Sequence, residues 1–280
     1  MNPSIASAGG TGGGTAAAPA RSAPDTLGAL QQAWAQAAPP PPAEARAHRL
    51  PLRESFLSLR DIPQISFEEA RGAFPMLAPT YPGKWKEQVR QLRNRLSNAQ
   101  AELHDSDESL QVLAFTNMEC ARPRYGTAAN LALAMASMQD TRVLVVDANL
   151  SAPSLHSALR LAAGPGLCEA TRADRIALPP CFRRVAGTQV YFLTVGDTMT
   201  FAMDPLDLRG LHVLLRSLRS QFDWILIDGP GFDTPADAMA LTMAADGVII
   251  MIESERDSFR EVARALGQVQ GRRMLGAVMF

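Results

Sequence analysis

The chain has 280 residues, 47% of them hydrophobic and 20% charged, with a formal net charge of −1. That length holds one sizeable domain with appendages, and the near-neutral charge gives no general case for nucleic acid or a membrane surface as a partner. The three cysteines, Cys120, Cys168 and Cys181, show neither metal-ligand spacing nor a disulfide framework, which fits a reducing cytoplasm.

In chain order, residues 1–46 are rich in Ala, Gly and Pro, including Gly9–Gly14 and Pro39–Pro42. Such a stretch has too few large apolar groups to offset its ordering entropy and is expected to be a disordered tail. Leu27–Trp34 carries a short helical pattern within it. Met1–Gly14 lacks the basic start and apolar core of a signal peptide. No run approaches the roughly 18 apolar residues of a membrane helix, so a membrane role is expected to run only through a partner. Residues 47–83 hold apolar side chains from Leu50 to Phe67, broken by Pro51, Pro63, Pro75 and Pro79. They read as a docking or linker segment lying on the main domain or on a partner.

The domain itself is expected over 84–280. It opens with an amphipathic helix over 84–102, where Trp85, Val89, Leu92 and Leu96 recur on one face. Lys84, Lys86, Arg90, Arg93 and Arg95 make this helix basic, with Glu87 among them. Strands are predicted at 110–116, 142–147, 190–195, 223–228, 247–252 and 274–279. Helices are predicted at 127–139, 154–161, 205–221, 235–245 and 256–270. The strand runs are almost continuously apolar, as parallel strands covered on both faces should be. The alternation implies an α/β fold: a doubly wound, mostly parallel sheet with helices on both faces.

Two features bear on chemistry. The first strand leads through Asn117–Gly126 into a helix opening at Thr127, the strand–loop–helix frame on which P-loop nucleotidases hold ATP. The glycines, the lysine and the following small hydroxyl that would hold phosphate are missing. The second feature is a pair of aspartates, Asp147 and Asp228, each ending a strand. In an open parallel sheet, ligands bind beyond those ends, where an acid can hold Mg²⁺ or orient an attacking group. The plainer role for each is to cap a helix or satisfy loop amides. No metal site is assigned, and the four scattered histidines receive no role.

Four segments in order make residues 84–280 resemble the cytoplasmic domain of bacterial tyrosine kinases, a MinD/ParA-like branch of the P-loop ATPases. They are Glu87-x-x-Arg90-x-x-Arg93; Ala128–Ala134; Val143–Leu155 followed by Gly164–Leu167; and Phe222–Pro230. The resemblance implies oligomerisation through Glu87, Arg90 and Arg93, and partnership with a membrane chain-length or co-polymerase protein. It also aligns the family lysine with Arg124, two glycines with Ala121 and Pro123, and the magnesium-binding hydroxyl with Tyr125. The second acid of the family Asp-x-Asp motif becomes Asn149, and no tyrosine cluster follows the last strand in this sequence.

These departures have a physical cost. Pro123 offers no N–H and fixes its φ, the Arg124 fork is larger than an ammonium, and the Tyr125 phenol cannot replace a small hydroxyl on Mg²⁺. Losing two or three hydrogen bonds to charged groups costs about 3–9 kcal/mol, roughly a hundredfold to a millionfold in affinity. The nucleotide-loop positions Arg122, Arg124, Tyr125, Gly126 and Thr127 are thus expected to need no cofactor, with ATP and Mg²⁺ bound only if the loop works. Arg122 and Arg124 could hold an acidic partner group or an anion, or stand in an ordinary solvated loop. The leading expectation is a non-catalytic cytoplasmic partner in exopolysaccharide or capsule assembly, forming a homo-oligomer. An active tyrosine autokinase or ATPase and a MinD/ParA-like positioning protein remain open alternatives.

Overall fold

Val112–Asn117 has no charged side chain, and all six residues are buried at the middle of an eight-stranded sheet in this computed structural model. The structure describes residues 57–78, 83–103, 108–118, 125–138, 140–150, 152–153, 155–162, 164–172, 178–198, 207–253, 257–269 and 274–279. The expected tail over 1–46, and Arg122 and Arg124 of the loop, lie outside these residues.

The strands are β1 (Gln64–Ile65), β2 (Val112–Asn117), β3 (Val143–Asp147), β4 (Phe182–Val185), β5 (Val190–Leu193), β6 (Trp224–Asp228), β7 (Gly247–Ile252) and β8 (Met274–Met279). The helices are α1 (Phe67–Ala70), α2 (Gly83–Glu102), α3 (Tyr125–Ala136), α4 (Leu155–Ala158), α5 (Leu167–Ala170), α6 (Leu208–Leu218), α7 (Pro235–Ala244) and α8 (Phe259–Gln268). The sheet order is β1-β4-β5-β3-β6-β2-β7-β8. Every pairing is parallel except the antiparallel β4–β5 hairpin. The doubly wound, mostly parallel sheet expected from the apolar runs is therefore the fold observed.

Alternation along the strands divides the core. Leu113, Phe115, Val145 and Leu226 face one layer, where they meet Leu131 and Met135 of α3 and Leu96 of α2. Val112, Leu144, Val146, Ile225 and Ile227 face the other, against Leu211, Leu215 and Leu218 of α6. Val248, Ile250 and Ile252 of β7 pack under Val262 and Ala265 of α8 and Val269 at its C-terminal cap. Asp207 starts α6 by accepting from the Arg209 N–H, and the Leu211–Leu214–Leu215–Leu218 stripe then buries itself. The helix predicted over 205–221 is observed as Leu208–Leu218, and that predicted over 154–161 shortens to α4.

Residues 57–78 form a strap across both layers: Leu57 and Ile62 pack in the second, and Ile65, Ala70, Ala73 and Phe74 in the first. β1 adds a parallel strand beside β4, and Ser66 and Glu69 close a capping box on α1. Phe74, only 1% exposed, lies 5.8 Å from the Phe192 ring. Gly72 approaches α4 so closely that a Cβ there would stand 2.6 Å from the Ala158 carbonyl oxygen. Two strands escape the apolar pattern. β1 is two residues long, and β4 carries Arg183 and Arg184 in its middle.

Candidate functional site at the strand ends

The carboxyl ends of β2, β3 and β6 meet where an open parallel sheet places its ligand crevice. Asp147 and Asp228 are register partners on neighbouring strands, and Asp228 also pairs with Phe115 of β2. They are 1% and 2% exposed. Burying two carboxylates side by side is costly unless hydrogen-bond donors reach them. Donors reach Asp147: the Asn149 N–H approaches Oδ1 at 3.2 Å and the Leu155 N–H approaches Oδ2 at 3.0 Å. Asp147 thus ties down the turn after β3 and the first amide of α4, the loop-satisfying role named as the plainer alternative.

The main chain around Asp228 is equally well held. Its carbonyl accepts from the Ala148 N–H at 2.8 Å, and the Gly229 N–H donates to Phe115 O at 2.8 Å. The Thr116 hydroxyl donates to Pro230 O at 2.8 Å. Asn117, the last residue of β2, is 2% exposed, and its buried Oδ1 accepts no hydrogen bond among the described residues. Sequence reading gave Asn117 no role, although an amide closing a buried apolar strand is itself a signal of a polar site.

The backbone turns helical at Tyr125, so α3 opens two residues ahead of Thr127. Gly126 touches the strap: a Cβ on it would lie 2.9 Å from Pro75 Cγ. One turn on, the buried Asn130 side chain accepts the Met76 N–H at 3.2 Å. Nothing in the sequence joins Pro75 and Met76 to this helix, because the contact spans more than fifty residues.

The Glu87–Arg90–Arg93 motif lies apart from the strand ends, on α2. Glu87 forms an ion pair with Arg90 one turn along the same helix and also accepts from Gln91 Nε2 at 3.3 Å. Hydrogen bonds from Arg90 and then Gln91 hold its carboxyl below the usual glutamate range. Arg93 donates to Asn94 Oδ1 at 2.8 Å and reaches across to the Ala134 carbonyl of α3 at 3.4 Å. A groove of about 490 Å³ runs between the two helices, lined by Met76, Lys86, Arg90, Arg93, Leu133 and Ser137.

No protein-family model matches the chain. It is 26% identical over 196 residues to the tyrosine-protein kinase YwqD of Bacillus subtilis, covering 69% of this chain and 79% of that protein. It is 22% identical over 195 residues to the putative tyrosine-protein kinase CapB of Staphylococcus aureus, covering 69% of this chain and 82% of the other. Among solved structures, the chimerical protein CapA2B2 superposes with a TM-score of 0.61 at 21% identity, over 78% of this chain and 92% of that one. MinD of Pyrococcus horikoshii, solved with Mg-ADP, superposes with a TM-score of 0.50 at 22% identity, over 61% and 70%. The chain is thus a relative of bacterial tyrosine-protein kinases, built on a P-loop nucleotidase fold.

Proposed function

We propose that this chain is a non-catalytic relative of the bacterial tyrosine kinases. It works in the cytoplasm as a partner of a membrane polysaccharide co-polymerase in exopolysaccharide or capsule assembly. One observation carries this reading: the sheet frame and its acidic strand ends are kept, while the residues that would grip a nucleotide are not. The donor set does not fit Mg-ATP. An aromatic residue, Tyr125, opens α3 where a small hydroxyl would bind the metal, and Pro123 removes an amide from the phosphate cradle. Asp147 meanwhile serves loop amides.

The kinship supports the pathway, and the absence of a membrane-length apolar helix among the described residues supports contact with the membrane through a partner. Glu87, Arg90 and Arg93 are the contact to a like subunit or to that partner. Support comes from their exposure: the side chains of Arg90 and Glu87 are 65% and 48% accessible, so both can exchange an intrahelical pair for an intermolecular one.

A second reading, an active ATP-dependent tyrosine kinase, draws on the adjacent buried pair Asp147 and Asp228. Titration calorimetry of the full chain with ATP and Mg²⁺, to about 1 mM, separates the two. The expected result is no measurable heat of binding. Micromolar binding, with turnover abolished by Asp228→Ala, would overturn the non-catalytic reading.

A further inference from the structure

Charge is divided unevenly between two helices. α2 carries Lys84, Lys86, Arg90, Arg93 and Arg95, with Glu87 as the one acid before its last residue. No Lys or Arg stands between Arg219 and Arg256, a stretch that contains α7 and the exposed Asp233 and Asp237. Among the described helices of two turns or more, α7 alone carries an acid and no base. α3 has no charge, α6 has arginines only, and α8 mixes Arg260, Glu261 and Arg264.

The surfaces of the two helices match in shape as well as in sign. Lys86, Arg90 and Arg93 edge the groove of about 490 Å³ between α2 and α3, and Met76, Leu133 and Ala134 line it with apolar surface. On α7, Ala236, Ala240 and Met243 recur at helical spacing on the outer face, and Met243 is 51% exposed. Asp237 borders this face, and Asp233 lies just before the helix. A helix with an apolar face fits such a groove.

The two surfaces cannot meet within one chain. Val89, Leu92 and Leu96 of α2 pack in the first core layer, whereas Leu241 and Ala244 of α7 pack in the second, with the sheet between them. Nor does α2 suit a second α2, because a two-fold contact would set cations against cations.

We propose that the groove between α2 and α3 of one copy takes the outer face of α7 from the next copy, head to tail. The proposal rests on the reading of Glu87, Arg90 and Arg93 as a contact to a like subunit, and names the surface they meet. Met243 and the two alanines would cover the apolar lining, and Asp237 would draw Arg90 from its pair with Glu87. Helix direction agrees. Arg93 reaches Ala134 O at 3.4 Å and Ser97 Oγ reaches Met138 Sδ at 3.9 Å, so α2 runs alongside α3 in the same sense. α3 and α7 each follow a parallel strand and start at its carboxyl end. Rotation about an axis along the strands therefore brings α7 beside α2 of the next copy with Asp237 near the level of Lys86 and Arg90. Unlike surfaces joined in this way repeat around a ring or along a filament.

Sedimentation velocity of the full chain from about 1 to 100 µM tests this. Species above twice the 30.1 kDa monomer mass are expected, and added salt should reduce them. Asp237→Arg alone and Arg90→Glu alone are each expected to weaken association roughly tenfold or more, with the far-UV spectrum of the parent. The two variant proteins mixed in equal amounts should associate again, because each reversed surface then meets its complement. Loss with Arg90→Glu but not with Asp237→Arg overturns the assignment of α7 and leaves the α2 contact standing. Association that ignores both variants overturns both. Loss with both variants and no recovery on mixing overturns the proposal. So does a chain that stays monomeric throughout, which leaves α2 to the membrane partner.

Discussion

The two ends of the sheet use their acids differently. At the amino end, Asp246 accepts from the Gln111 and Val112 N–H groups at 2.9 and 2.8 Å, and from Arg219 Nη1 at 2.8 Å. Gln111 in turn donates to Arg219 O at 2.7 Å. One ion pair thereby fastens the start of β2, the end of α6 and the turn between α7 and β7. At the carboxyl end, Asp147 is deeper and holds the turn after β3 and the first amide of α4. The electrostatic anchor of the fold therefore sits at the end of the sheet opposite the ligand crevice. The Arg219–Asp246 pair fastens the frame at that amino end, away from the strand ends where a nucleotide would be gripped.

The largest expected effect tests the anchor. Asp246→Ala leaves Arg219 and two amides without their acceptor. The pair is partly exposed, 29% at Arg219 and 14% at Asp246, so the cost falls below that of a fully buried pair. Urea unfolding should show a loss of about 2–3 kcal/mol, and the thermal midpoint should fall by roughly 4–12 °C. A loss of less than about 0.5 kcal/mol would break the comparison.

A smaller effect is expected at the other end. Asp147→Ala should cost about 2 kcal/mol, less than the sum for two bonds because such terms are not additive. Hydrogen exchange should speed up at Asn149 and Leu155, while the amides of β2 keep their protection. A variant as stable as the parent would mean that Asp147 is not the anchor of its loop, and the catalytic reading would gain.

The smallest effect appears only in alkali. Burial, reinforced by the Glu169 charge, pushes the Cys168 and Cys181 thiols up from 9.0 to about 11. Unfolded thiols release their protons near pH 9 while the folded ones keep theirs, so stability is fully present below pH 9 and declines as the pH rises toward 11. Iodoacetamide at neutral pH should leave both unmodified until the chain is unfolded. Rapid labelling of the native protein would show that these sites open.

Legibility from sequence tracked how local each cause is. β2, β3, β6 and β7 declared themselves through unbroken apolar runs, and α6 through its leucine stripe. The stripe of α2 was legible too, yet only Leu96 is fully buried, because the helix lies on α3 rather than directly on the sheet. β4 hid behind its two arginines and β1 behind its length. At the site, Asp147 and Asp228 were readable as strand ends. Their placement as register partners follows from sheet order, which no local pattern encodes. Asp246 drew no notice, since its partners at Gln111 and Arg219 lie far away along the chain. The seat of Pro75 on Gly126 was hidden for the same reason.

The pairing of Ile65 with Val185 has a consequence for synthesis. β1 leaves the ribosome well over a hundred residues before the strand it pairs with, so it waits roughly 6–24 s at ordinary elongation rates. During that interval Phe74 has no Phe192 to pack against, and the strap is a bare apolar segment on a nascent chain. Growth of the chain must therefore proceed with β1 unpaired, and a chaperone that shelters residues 57–78 would have to hold them until β4 has been made.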